Sequence, residues 1–175
     1  MIDGPGGMWC TQIGYGREEM AEAIAEQARN LAYFSPFNNS NSTAARCARE
    51  IAKRAPGDLN NVFFTTGGST AVDTAIRLVH FRNNLLGRPE KKKIIPWQKA
   101  YHGSTYLAAS TSEKERDRLW LDKADDLANF LPDVNPLYRA PGQSEESFLR
   151  ENVSDLENAI VALGPENVAA FIPKR

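Results

Sequence analysis

Cysteine, histidine and net charge are all scarce in this sequence. Cys10 and Cys47 are its only cysteines, and His80 and His102 its only histidines. Two cysteines are too few for a disulfide scaffold, and neither histidine stands at a ligand-like spacing from a thiol, so a structural zinc site is disfavoured. Both thiols read as reduced, in the core or near the surface. Lys and Arg number 21 against 22 Asp and Glu, which leaves a formal charge of −1. Without a basic excess to release counterions, a general nucleic-acid-binding role is disfavoured. No apolar run approaches the ~20 residues of a membrane-spanning helix. The opening residues, Met1-Ile2-Asp3-Gly4-Pro5-Gly6-Gly7, lack the basic-then-apolar order of a secretory signal, and a cytoplasmic location is the expectation. What is present is ordinary globular material. Over 175 residues, 42% are hydrophobic and 25% charged, enough apolar surface to offset the entropy of ordering.

The chain opens on glycine-rich turns, Gly4-Pro5-Gly6-Gly7-Met8-Trp9 and Ile13-Gly14-Tyr15-Gly16. Met20, Ile24, Ala28 and Leu31 recur at helical spacing and predict a helix over 17–31, with Glu18 and Glu19 in its first turn. The aromatic stretch Tyr33 to Asn41 carries Pro36 and three asparagines and reads as a loop. Ser42 is placed to cap a second helix running to about Arg54. Val62-Phe63-Phe64-Thr65 then reads as a buried strand, and a long helix follows from about Ser69 to Leu86. Lys93-Ile94-Ile95-Pro96-Trp97 is the next strand, with Lys91 to Lys93 a solvated entry to it. Residues 113–151 read as irregular. Ser154 begins another helix, and Val168 to Ile172 is a third strand. Strands alternating with helices predict an α/β domain with a mainly parallel sheet. Three parallel strands make a sheet that looks unfinished, because parallel strands need neighbours on both sides. The division expected is 1–60, a segment with the glycine-rich loop and two helices, and 61–175, the first part of the α/β domain.

Phe63-Phe64-Thr65-Thr66-Gly67-Gly68-Ser69-Thr70-Ala71 carries the strongest chemical signal. Glycines let a backbone approach an anion, and the first N–H groups of a helix have no partners of their own. The stretch is built as a phosphate cup; a turn that needs glycine only for tight packing is the plainer reading. No lysine follows the second glycine, so the stretch is not a Walker loop. Tyr101-His102-Gly103-Ser104-Thr105 follows the next strand, at the sheet edge where α/β ligands bind. Its ring can stack on a flat cofactor, or simply pack on a helix start. Trp9 and the group Tyr33, Phe34 and Phe37 suit a subunit interface as well as a substrate pocket.

In order and spacing these residues resemble the class III (ω-type) aminotransferases, enzymes dependent on pyridoxal 5′-phosphate. The resemblance rests on Gly7-Met8-Trp9-Cys10, Ile13-Gly14-Tyr15-Gly16-Arg17, the stretch Phe63 to Ala75, Tyr101 to Thr105, and the run from Leu156 to Phe171. It implies part of a fold-type I large domain. It implies that Gly68 and Ser69 hold the cofactor phosphate, that Tyr101 stacks on the pyridine ring, and that His102 and Gly103 shape that wall. Trp9 would line the substrate pocket, and Phe37 would reach a pocket, its own or that of the neighbouring subunit in a homodimer. Thr70 stands where many members have Glu, and Val72 where many have Asn.

The resemblance also implies an absence. The Schiff-base lysine, and the acid that pairs with the pyridine nitrogen, lie downstream of the last strand in this family. Lys174 and Lys91 to Lys93 do not stand in the lysine's place. The expectation is therefore a fragment of an enzyme that moves an amino group from an amine or amino acid to a keto acid, inactive as this short chain. The alternatives are a non-catalytic truncated product and a small phosphate- or nucleotide-binding α/β domain.

Overall fold

The structure, a computed structural model, describes residues 2–114 and 120–173. Lys174 and part of the 113–151 stretch lie outside them. The chain divides into two units, Met1–Phe63 and Phe64–Arg175.

The first unit holds two amphipathic helices, α1 (Glu18–Leu31) and α2 (Ser42–Ala52). Helix α1 starts with Glu18 and Glu19 and carries Arg29 in its last turn, both favourable to the helix dipole. Asn41 caps α2, its side chain accepting from the Ala44 N–H at 2.8 Å. The cap is thus one residue earlier than Ser42, which is the first helical residue. Thr43 donates to Gln27 across the two helices at 2.9 Å. Ahead of them, Gly6, Gly7, Met8 and Trp9 all take positive φ, between 55° and 65°, and form one left-handed turn. Asp3 fastens it by accepting from the Gly7 N–H at 2.7 Å and the Tyr15 hydroxyl at 2.6 Å. Those bonds hold the Asp3 carboxyl below its ordinary value of 3.8, Tyr15 being the larger cause.

The second unit runs α3 (Gly68–Leu85), β1 (Lys93–Pro96), α4 (Tyr106–Ser110), a 3-10 turn at Pro136–Tyr138, α5 (Glu145–Leu163) and β2 (Val168–Ile172). Strands β1 and β2 pair in parallel, Ile94 opposite Ala170 and Pro96 opposite Ile172. The other side of β1 is also paired, through parallel bridges from Ile94 to Ala128 and from Trp97 to Leu131. Flanked on both sides, β1 buries Ile94, Ile95 and Pro96; β2, paired on one side among the described residues, is half-buried throughout. The core joins Ile76 of α3, Ile94 of β1 and Leu127.

Four expectations are corrected here. Val62 to Thr65 is not a strand: no backbone N–H in it meets a backbone acceptor among the described residues, and Phe63 and Phe64 are 73% and 51% exposed. A β-branched and aromatic run becomes a strand only through a partner. Helix α5 begins nine residues before Ser154, because the Ser144 hydroxyl caps it by accepting from the Ser147 N–H. The 113–151 stretch is accordingly less irregular than expected. Lys91, Lys92 and Lys93 are half-buried ties rather than a solvated entry, donating to the carbonyls of Pro165, His80 and Asp126 at 2.6, 3.0 and 2.6 Å.

Candidate functional site

The glycine pair and the Tyr101 stretch, 33 residues apart by number, meet in the second unit. Helix α3 starts at Gly68, and its first internal backbone bond runs from the Ala71 N–H to the Gly67 carbonyl at 3.0 Å. The N–H groups of Gly68, Ser69 and Thr70 therefore have no backbone acceptor among the described residues. Thr65 and Thr70 shape the turn by donating their hydroxyls to the Gly67 carbonyl at 3.0 and 2.8 Å. The Thr70 bond holds its side chain back onto the turn.

The second wall is Gly103. Its φ is +138°, and a Cβ built there falls 2.5 Å from Ser69 Oγ and 2.8 Å from Ser69 Cα. Only glycine lets the two backbones approach so closely. The Ser104 N–H donates to Ser69 Oγ at 3.1 Å, which leaves the Ser69 hydroxyl proton facing elsewhere. Three helix N–H groups and one hydroxyl thus converge where the dipole of an 18-residue helix favours negative charge. His102 is buried beside this wall, and its backbone N–H donates to the Ser112 hydroxyl at 2.8 Å. Tyr101 is 41% exposed, with the Lys114 ammonium 4.8 Å from its ring centroid, a cation–π contact.

Gly68, Ser69, Tyr101, His102 and Gly103 therefore share one neighbourhood. Trp9 and Phe37 belong to the first unit, where they are 72% and 92% exposed, Trp9 at the end of the left-handed turn. Reading the sequence missed Lys114, Ser112 and Asp73. Asp73 Oδ1 accepts from Thr105 Oγ1 at 2.7 Å and from the Ala108 N–H at 2.9 Å. Its signal was available in the spacing, since Asp73 stands four residues after Ser69 and shares its helix face.

A family model described as aminotransferase class-III matches residues 1–173. A gamma aminobutyrate transaminase 2 from Solanum lycopersicum is 37% identical over 175 residues, which is 98% of this chain and 38% of that protein. A vanillin aminotransferase from Capsicum annuum is 38% identical, with 98% and 38% covered. Among solved structures, the omega transaminase of Pseudomonas jessenii in complex with PMP superposes with a TM-score of 0.87 at 32% identity, covering 95% of this chain and 37% of that one. A transaminase from directed evolution by ancestral reconstruction gives 0.91 at 37% identity, with 95% and 37% covered. The chain spans under two-fifths of the length of these relatives. The α/β fold is that of the fold-type I transaminases. Matched along nearly its whole length, the chain belongs to the class III aminotransferases, a family whose cofactor is pyridoxal 5′-phosphate.

Proposed function

We propose that the second unit is the phosphate- and ring-binding part of a transaminase that moves an amino group between an amine or amino acid and a keto acid. The observation that carries this reading is the close approach of Gly103 to Ser69, which closes a cup of N–H groups that have no backbone acceptor among the described residues, at the start of α3. The donor set fits the phosphate of the cofactor: three backbone N–H groups and a hydroxyl, with no carboxylate among them. Gly68, Ser69 and Thr70 would hold that phosphate. Tyr101 would lie against the ring, and His102 and Gly103 would back that wall. Bound pyridoxal phosphate supplies the electrophilic carbonyl and the electron-accepting ring that amino transfer needs. The chain's own residues fix the phosphate, orient the ring and keep water from one side of it.

Trp9 and Phe37 are assigned to the substrate pocket, and the whole protein to a homodimer, on family membership alone. The amine substrates named for the relatives belong to those proteins; this chain's own substrate class is an amine or amino acid. The chain by itself is assigned binding without turnover. Among the described residues, the cation held against a site residue is Lys114, and it sits on the Tyr101 ring.

Titration of the 175-residue chain with pyridoxine 5′-phosphate tests the reading, since that compound has no aldehyde to react with surface lysines. Saturable binding is expected. Ser69→Asp, which places a charge at the cup, is expected to abolish it, and Tyr101→Ala to weaken it. Stronger binding of ATP or NAD than of pyridoxine 5′-phosphate would overturn the reading in favour of a nucleotide site. Robust transamination by the chain alone would overturn the assignment of binding without turnover.

A further inference from the structure

We propose that Asp73 is the positioning residue that holds the two walls of the cup together. The proposal rests on the phosphate-binding reading of that cup and deepens it.

Helix α4 starts at Tyr106 with Thr105 as its N-cap, yet the Thr105 side chain makes no capping bond to α4. The third helical N–H, that of Ala108, is taken instead by Asp73 Oδ1, from the second turn of α3. The same oxygen accepts the Thr105 hydroxyl at 2.7 Å. Thr105 Oγ1 also lies 3.3 Å from the Ser69 carbonyl, and the Ser104 N–H reaches Ser69 Oγ. Ser69 and Asp73 lie one helical turn apart on α3, and together they grip residues 103–105 and the first turn of α4. Removing the Asp73 acceptor leaves the Ala108 N–H without its cap and Thr105 with only the longer contact. Gly103 is then held against Ser69 only by the Ser104 bond and the longer Thr105 contact, and the cup loosens.

The aspartate acts through geometry and not through charge. A carboxylate on the same helix, one turn from Ser69, repels an anion bound at the cup, so a purely electrostatic role would work against binding. Asparagine offers the same Oδ1 acceptor without the charge, and the structure gives Asp73 Oδ2 no donor among the described residues that an amide would meet.

The test uses the 175-residue chain, as wild type and as Asp73→Ala, Asp73→Asn and Thr105→Val. Two quantities are read: the Kd for pyridoxine 5′-phosphate, and the hydrogen-exchange rates of the Ser104 and Ala108 amides. The amides of Ile94 and Ile95 report that the sheet is intact. Asp73→Ala is expected to raise Ala108 exchange and weaken binding about tenfold. Asp73→Asn is expected to stay within about twofold of wild type on both readouts. Thr105→Val, which keeps shape and removes one donor, is expected to weaken binding about threefold. The proposal is overturned if Asp73→Asn is as impaired as Asp73→Ala, or if Asp73→Ala changes neither readout. Should Asp73→Ala lose the sheet, Thr105→Val decides: wild-type affinity and wild-type Ser104 exchange then overturn the proposal. If wild type itself does not bind the probe, the phosphate reading fails. The brace is then judged on Ala108 exchange in Asp73→Ala, or on Ser104 exchange in Thr105→Val, where an unchanged rate overturns it and a raised rate supports it.

Discussion

Gly103 and Gly68 show how differently two glycines of one site are used. At Gly103 a methyl group would fall within 2.8 Å of Ser69 backbone and side chain, on a φ that L-residues avoid. Gly103→Ala is expected to cost about 2–3 kcal/mol in urea unfolding and to lose binding of pyridoxine 5′-phosphate. At Gly68 a methyl group meets nothing within 4 Å, and the residue begins a helix. Gly68→Ala is expected to leave folding unchanged or to stabilise it by a few tenths of a kcal/mol, up to about 1. Asp3 gives a prediction in pH. Its folded pKa lies below 3.8, chiefly through the Tyr15 hydroxyl and then the Gly7 N–H. A depressed carboxyl pKa contributes stability that is fully present above the unfolded value and is lost as pH falls through the folded one. The left-handed turn is therefore expected to loosen only below about pH 4. Trp9 fluorescence followed from pH 6 to pH 2 checks it. Tyr15→Phe should move the transition up toward the ordinary carboxyl range; an unmoved midpoint would contradict the assigned cause.

Helix boundaries are set by which side chain reaches which N–H. Ser40, Asn41 and Ser42 all have capping chemistry, and the sequence pattern pointed to Ser42. The backbone selects Asn41 instead, by leaving it extended at φ −115°, ψ 153° and its amide oxygen on the Ala44 N–H. In the same way Ser144, followed by Glu145 and Glu146, starts α5, while Ser154 is interior to it. Asn41→Ala and Ser144→Ala are each expected to cost about 1 kcal/mol. Ser42→Ala and Ser154→Ala are expected to be neutral within about 0.5 kcal/mol, because both residues sit inside helices. Urea denaturation of the four variants checks the assignment. The start of α5 was hard to read because Glu145, Glu146, Arg150 and Glu151 crowd its first two turns, and Phe148 is its one buried residue.

At the scale of the whole molecule, burial is unevenly shared between the two units. No described residue of the first unit is buried, whereas Ile94 and Ile95 of β1 are fully so. Amide exchange is expected to be slowest in β1 and fastest in the first unit. Ile94→Ala removes a side chain packed against Ile76 and Leu127 and is expected to cost about 3–5 kcal/mol on unfolding. The five residues proposed for the cofactor stand out in the sequence because they lie in two short glycine-bearing stretches, one at the start of α3 and one just ahead of α4. The pairing of Leu127 to Leu131 with β1 was not legible: the run Leu127-Ala128-Asn129-Phe130-Leu131 is short, has no alternating pattern, and lies between the acids Asp125-Asp126 and Pro132-Asp133. Lys91 to Lys93 misled for a related reason. Their charges suggest solvent, but long side chains reach carbonyls in the second half of α3, just ahead of the Ala128 bridge and just ahead of β2.

By itself the sequence determined the α/β class, most of the helices, the parallel strands β1 and β2, and the two stretches that make the cup. Helical periodicity, β-branched runs and glycine placement are local properties, and local backbone preferences carry them. Only the tertiary structure decided that Val62 to Thr65 stays out of the sheet, that Gly103 rests on Ser69, and that an aspartate on α3 caps α4. Each of these depends on a partner 30 or more residues away or on the want of one among the described residues, and a hydrogen bond across that separation exists only once packing has brought its two ends together.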